Sequence, residues 1–237
     1  MNYLKYKYIA HRGLHDGDIP ENSTLAFKRA LEYGYAIELD VNITKDNKVI
    51  VFHDNTLFRM CSVNKRVRNC TFGYIKTLQL NNTKYKIPTL KEVLKLINGK
   101  VPLLIELKNE GFSNRLEKNV LKIMEKYNGE YIYQSFNPFS ILYMKNKNKK
   151  VKTALLSSNS FKNLKNFFMV VLTNSKLVFN FVKADIISYK LEDINNKVLK
   201  RYKNIPIFSW TITNMIELKE AKKVSDGIIF ENILPKL

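Results

Sequence analysis

The chain is short of the residues that would staple or divide it. Only two cysteines occur among 237 residues, Cys61 and Cys70, both in a polar stretch. Two thiols make no disulfide framework, so free thiols are expected. Eight glycines and six prolines are scattered, and no Pro/Gly/Ser-rich linker or short internal repeat breaks the sequence. The start, Met1 to Tyr8, lacks the apolar run and small-residue cleavage site of a secretory signal, so a cytoplasmic location is expected. Acid is also scarce. Twenty-one Asp and Glu face 40 Lys and Arg, 40 − 21 = +19, and such a field draws nucleic acid, acidic lipid headgroups or small phosphorylated substrates alike.

What is present is a folded chain with 45% apolar and 12% aromatic residues, long enough to bury a full core as one domain spanning residues 1–237. Short β-rich runs fall at 8–11, 36–41, 49–53, 101–107, 131–136, 151–156, 184–188, 205–211 and 226–230. Helical periodicity predicts helices over 23–33, 90–96, 114–127, 138–145 and 214–223, an alternation that argues for parallel βα units. The connection at 42–48 is too short for a crossover helix. If 42–46 runs back down the sheet in extended form, the run at 49–53 rises again and sets His53 at the same end as Glu38 and Asp40.

Chemistry concentrates in few side chains. Two of the three histidines, His11 and His53, end predicted strands, where active sites form in parallel α/β architectures. Each read alone suits a structural role. As a pair they suit phosphodiester cleavage, which needs one group to remove a proton and another to supply one. Glu38 and Asp40 lie two apart, on one face of a strand. Unless that face is an exposed edge, two such carboxylates need a cation between them. Glu106 and Lys108 repeat the spacing on another apolar strand. Three carboxylates are a hard oxygen set suited to Mg²⁺, Ca²⁺ or Mn²⁺, while Arg12 and Lys108 suit phosphate oxygens.

With these residues in place, the sequence resembles the glycerophosphodiester phosphodiesterases. The matching blocks, in the family's order, are His11-Arg12-Gly13, Pro20-Glu21-Asn22-Ser23 leading into Ala26-Phe27 and Ala30, Glu38-Leu39-Asp40-Val41, Thr44-Lys45-Asp46, His53-Asp54, Arg59, Ile87-Pro88-Thr89-Leu90, Glu106-Leu107-Lys108, Gln134-Ser135-Phe136 and Trp210-Thr211. The resemblance implies a single-domain α/β fold, a TIM-type (β/α)8 barrel with a short extended β2–β3 connection and a small insertion after His53. It implies that His11 and His53 are the catalytic pair, that Glu38, Asp40 and Glu106 hold one divalent cation, and that Arg12, Lys108, Glu21 and Trp210 contact substrate or phosphate. One imidazole would deprotonate water or the glycerol 2-hydroxyl while the other protonates the departing alkoxide. Two departures are visible: Phe230-Glu231-Asn232-Ile233 stands where the family carries Thr-Asp-Arg-Pro, and Ser23 where Thr is usual.

The template leaves the apolar stretch 167–182 unexplained. Its 16 helical residues would reach about 24 Å, short of the ~30 Å hydrocarbon core. It reads either as a buried barrel helix or as a surface element that dips into lipid and brings the protein peripherally to a membrane. The second reading suits a lysolipid substrate and a lysophospholipase D-like or headgroup phosphodiesterase activity. A non-catalytic protein binding nucleic acid or anionic lipid would also use the +19 charge, but no helix-turn-helix, zinc or RNA-binding signature focuses it, so no nucleic acid is expected.

Overall fold

The computed structural model describes residues 3–159 and 174–237. In chain order the elements are β1 (Tyr8–Ala10), α1 (Thr24–Glu32), β2 (Ala36–Ile43), β3 (Val49–Val51), α2 (Phe58–Cys61), α3 (Phe72–Ile75), α4 (Leu90–Ile97), β4 (Leu103–Leu107), α5 (Arg115–Met124), β5 (Tyr131–Ser135) and α6 (Pro138–Lys147). They continue with β6 (Lys152–Ser157), α7 (Lys176–Phe181), β7 (Ile186–Lys190), α8 (Asn196–Arg201), β8 (Ile207–Ile212), α9 (Met215–Val224) and β9 (Gly227–Phe230). All nine predicted β runs are strands. Backbone contacts divide the chain into two units, residues 10–130 and residues 1–9 with 131–237.

In the first unit the strands lie in the order β4-β2-β3. All eight positions of β2 are buried, as expected for a parallel strand covered on both faces. β2 pairs in parallel with β4 and sets Asp40 beside Glu106 and Glu38 beside Leu104. Helix α1 starts where Ser23 Oγ accepts from the Ala26 N–H at 3.2 Å. Helix α4 starts with a reciprocal cap in which Thr89 and Glu92 satisfy each other's backbone N–H. Ahead of α1 the backbone passes close to that helix: Gly13 sits at φ +79°, and a Cβ there would lie 2.7 Å from the Ala26 carbonyl carbon. Only glycine fits that turn.

The expectation for 42–46 is corrected. The segment does not run back down the sheet; β2 continues upward to Ile43 and the chain reverses at Thr44–Lys48. Thr44 and Lys48 close the turn, the Lys48 N–H donating to Thr44 Oγ1, and Asn47 takes φ +62°. Asn tolerates this left-handed conformation better than most residues. β3 then descends antiparallel to β2, with Val51 opposite Val41. It is the accessory ninth strand, and its descent returns His53 to the level of Asp40, whose carbonyl accepts from the Phe52 N–H at 2.9 Å. The insertion after His53 has a core of its own, in which Leu57, Met60, Val67, Cys70, Ile75 and Leu80 pack on Ile50 and Phe52. Cys61 and Cys70 are free thiols.

In the second unit the strand order is β1-β9-β8-β7-β6-β5, and β5 through β9 pair in parallel. Helix α6 begins with Pro138 behind an Asn137 cap. Of the apolar stretch, residues 167–173 lie outside the described residues. The remainder is not a continuation of one long helix, because Ser175 is extended (φ −81°, ψ 122°) and caps α7, which starts at Lys176. Within α7 and its end, Phe179 and Val182 are buried, whereas Leu177 is 82% and Phe181 64% exposed. Among the described residues no helix is long and apolar enough to cross a membrane.

Candidate active site

Three acids meet where β2 and β4 run side by side. The alternation that points Glu38 and Asp40 to one face of β2, with Asp40 in register with Glu106, brings one oxygen from each carboxylate within 4.8 Å of the other two. All three are buried. Each also has an oxygen gripped by the protein. Glu38 Oε2 accepts from the Arg12 N–H at 2.8 Å, Asp40 Oδ2 from Asn22 Nδ2 at 2.8 Å, and Glu106 Oε1 from Lys108 Nζ at 2.6 Å. Glu38 Oε1 and Asp40 Oδ1 are buried and find no hydrogen-bond partner among the described residues. Buried polar atoms are rarely left so. Hard, anionic oxygens already oriented by outer donors fit a divalent cation, so the residues pass the test for a metal centre.

The electrostatics carry the same message. Burial, then the charges of Asp40 and Glu106, push the Glu38 carboxyl well above its usual pKa. For Asp40 burial also works upward, but Lys108, His53, Arg12 and His11 outweigh it and hold the group well below the usual carboxylate range. Both imidazoles thus lie close enough to Asp40 to act on it electrostatically. Without added positive charge the cluster carries three acids against two partly buried cations, Arg12 and Lys108.

A chain of ion pairs runs from these acids to His53. Arg12, held at φ +55°, places Nε 3.3 Å from Asp40 Oδ2 and Nη1 2.8 Å from Glu21 Oε1. Glu21 takes two further hydrogen bonds from Arg59, at 2.7 and 2.8 Å. Arg59 Nε donates to Asp54 Oδ2 at 2.6 Å, and Asp54 Oδ1 is 2.6 Å from His53 Nδ1. Burial favours the neutral Asp54 acid, but hydrogen bonds from His53 and Arg59 prevail and keep its pKa far below normal. An ionised Asp54 only accepts, so His53 carries its proton on Nδ1 and Nε2 is the atom left for proton transfer.

Of the residues singled out from sequence, His11, Arg12, Glu21, Glu38, Asp40, His53, Glu106 and Lys108 all lie in the unit of residues 10–130. Arg12 and Lys108, expected at phosphate, are engaged with carboxylates. Trp210 lies on β8 in the other unit, edge-on to Phe136 with ring centroids 5.6 Å apart. Asn22, Asp54 and Arg59 were given no role from sequence. All three stand in the blocks that carry the resemblance, Asn22 beside Glu21, Asp54 beside His53 and Arg59 by itself, and that membership was the signal that marked them.

Comparison with known proteins extends these observations to the whole chain. The Glycerophosphoryl diester phosphodiesterase family matches residues 11–234. A glycerophosphodiester phosphodiesterase from Caldanaerobacter subterraneus subsp. tengcongensis is 32% identical over 97% of this chain and 95% of its own length. Among solved structures, an Oleispira antarctica phosphodiesterase in complex with the product sn-glycerol-3-phosphate superposes with a TM-score of 0.80 at 20% identity, covering 95% of this chain and 92% of that one. A glycerophosphodiester phosphodiesterase from Thermotoga maritima gives 0.72 at 25% identity, covering 94% and 93%. The fold is therefore the TIM-type (β/α)8 barrel that the resemblance implied. Since the match starts at His11 and takes in every acid of the cluster, this chain belongs, as an enzyme, to the glycerophosphoryl diester phosphodiesterase family.

Proposed function

We propose that the enzyme hydrolyses glycerophosphodiesters to glycerol 3-phosphate and an alcohol, with His11 and His53 as its acid–base pair. The observation that carries this reading is the buried triad Glu38, Asp40 and Glu106, with both imidazoles near enough to lower the Asp40 pKa. Glu38, Asp40 and Glu106 would hold one divalent cation, Mg²⁺, Ca²⁺ or Mn²⁺, which when bound supplies positive charge to a phosphodiester oxygen. Arg12 and Lys108 steady the remaining phosphate oxygens, Arg12 with its planar fork.

One imidazole, neutral, removes the proton of the nucleophile; the other, protonated, returns a proton to the leaving alkoxide. The phosphorus–oxygen bond to the alcohol breaks, and one water is consumed per diester. Asp54 fixes the His53 tautomer so that Nε2 faces the proton it moves, and Glu21 with Arg59 keeps Asp54 in place. The nucleophile is read as the glycerol 2-hydroxyl, giving a cyclic phosphate that water then opens. Support comes also from the Oleispira antarctica phosphodiesterase, solved with sn-glycerol-3-phosphate as its product.

The test is a panel of glycerophosphodiesters and lysolipids with and without chelator, on the unaltered protein and on His11→Ala and His53→Ala. Glycerol 3-phosphate release, lost in both variants and on chelation, is expected. Turnover that survives either substitution would sink the acid–base assignment. Trapping a cyclic glycerophosphate supports the 2-hydroxyl route, and oxygen from labelled water entering without that intermediate refutes it.

A second reading, lysolipid hydrolysis at a membrane surface, rests on Leu177 and Phe181, both exposed on α7. Flotation with anionic liposomes, unchanged by Leu177→Ser with Phe181→Ser, would reject it.

A further inference from the structure

The insertion after His53 builds a cleft that the reaction described above does not use. It is an open groove of about 790 Å³, lined by Lys45, Thr56, Asn64, Lys65, Arg66, Asn69, Cys70, Thr71 and Tyr74, with the three cations exposed on its walls, and its volume is within the ~300–1,000 Å³ of ligand sites. Three cations face it, and no carboxylate lines it. Among the described residues none of the three is ion-paired. Lys65 Nζ instead lies 4.5 Å from the centre of the Tyr74 ring, which keeps the charge without neutralising it. The nearby acids are committed elsewhere: Asp46 to Thr44 Oγ1 and the Phe72 N–H, Asp54 to His53 and Arg59.

The backbone under the cations is fixed. Thr56 and Arg66 pair as an antiparallel bridge, the Leu57 N–H donates to the Lys65 carbonyl at 2.9 Å, and the Lys45 N–H to the Cys70 carbonyl at 2.8 Å. Three separate segments are thus tied round one space. The chain links the cleft to the proposed chemistry, because Thr56 is two residues beyond Asp54, a backbone span of at most about 7 Å, and Asp54 Oδ1 lies 2.6 Å from His53 Nδ1. A second basic cleft, lined by Lys91, Lys95 and Lys126, has a simpler origin. Lys95 lies in the last turn of α4 and Lys126 just beyond α5, where cations offset the helix dipole, and only Lys91, in the first turn of α4, stands apart from that pattern.

We infer that the Lys45–Lys65–Arg66 cleft receives a second anionic group, a phosphate or carboxylate carried by the leaving alcohol, and that the enzyme prefers glycerophosphodiesters so charged. The inference rests on the proposed glycerophosphodiester hydrolysis and adds its substrate class. The phosphodiester engages Arg12, Lys108 and the acid cluster; the far end of the alcohol meets the cations of the insertion. A neutral or cationic alcohol finds no counter-charge there.

The experiment uses the full chain with divalent cation at low salt, on sn-glycero-3-phosphoglycerol and on the same molecule bearing a terminal phosphate. The phosphorylated substrate should show a kcat/KM about tenfold higher, chiefly through KM, from a few partly exposed charge pairs. The advantage should shrink as salt screens it. Lys45→Gln, Lys65→Gln and Arg66→Gln together should erase the preference and leave the unphosphorylated substrate within about twofold, with an unchanged Tm showing that the insertion stays folded. Lys45→Glu with Lys65→Glu should make the phosphorylated substrate the poorer one. Equal kcat/KM in the unaltered enzyme, or a preference that survives both variants, overturns this inference alone. Hydrolysis of no glycerophosphodiester at all overturns the proposed function, and this inference with it.

Discussion

Asn22 and Asp40 hold each other twice: the Asn22 amide donates to Asp40 Oδ2 at 2.8 Å, and the Asp40 backbone N–H donates to Asn22 Oδ1 at 3.3 Å. Asn22 is fully buried at φ +55°, and its own N–H donates to the Arg12 carbonyl. One side chain therefore sets both the position of an acid in the cluster and the path of the loop that carries Arg12. Asn22→Gly keeps the backbone conformation accessible and removes only the amide. Cation affinity or kcat/KM should fall about 10–100-fold, as for other outer groups that orient a ligand, measured by calorimetric cation titration and steady-state kinetics. An unchanged cation Kd together with unchanged kinetics would deny Asn22 this role.

The contact between Asp54 and His53 leads to a second expectation. Asp54→Asn keeps the shape but removes the negative charge that fixes the proton on Nδ1 of His53. We expect kcat to drop about 10²–10⁴-fold, within the range of acid–base contributions, with KM changed only a few-fold. Arg59→Lys, which cannot reproduce the fork onto Asp54 and Glu21, should give a smaller loss in the same direction. A KM effect with intact kcat would place Asp54 in binding rather than in proton transfer.

Three buried acids so close together oppose folding until they are neutralised. A cation that binds only the folded state should therefore stabilise it, by about 2.7 kcal/mol at a concentration of 100 Kd. For a chain of this size that corresponds to a Tm rise of roughly 5–10 °C. Differential scanning fluorimetry with chelator, then with Mg²⁺, Ca²⁺ or Mn²⁺, reads the effect, and Asp40→Asn with Glu106→Gln should abolish it. A Tm indifferent to every divalent ion would argue that Lys108 and Arg12 alone balance the acids.

A fourth expectation concerns stability in the second unit. Asp185 joins Lys145 at 2.5 Å and Lys152 at 2.8 Å, and accepts from the Thr153 N–H at 3.0 Å. Burial works to raise its pKa, but these hydrogen bonds win and hold it below its usual 3.8. With the folded value below the unfolded one, the stabilisation is complete above about pH 5 and is lost as pH falls through 4 and lower. Asp185→Asn should cost about 1–3 kcal/mol at pH 7 and progressively less as acid is added. Denaturant midpoints at pH 7 and pH 3 measure it; an equal penalty at both would contradict the assignment.

The sequence alone determined the strands, the α/β class and the identity of the chemical groups. Strand period two put Glu38 and Asp40 on one face, helical periodicity placed helices over 23–33 and 90–96, and the scarcity of histidine drew notice to His11 and His53. These are local signals, written in neighbours a few residues apart. What only the tertiary structure decided was how distant residues register. The parallel pairing of β2 with β4 chose which carboxylate Glu106 would approach. The reversal at Thr44–Lys48, not a descent of the segment before it, carried His53 back to Asp40. The Arg12–Glu21–Arg59–Asp54 ion-pair chain joins side chains up to 38 positions apart in sequence. Such contacts arise from long-range packing, which no local period encodes.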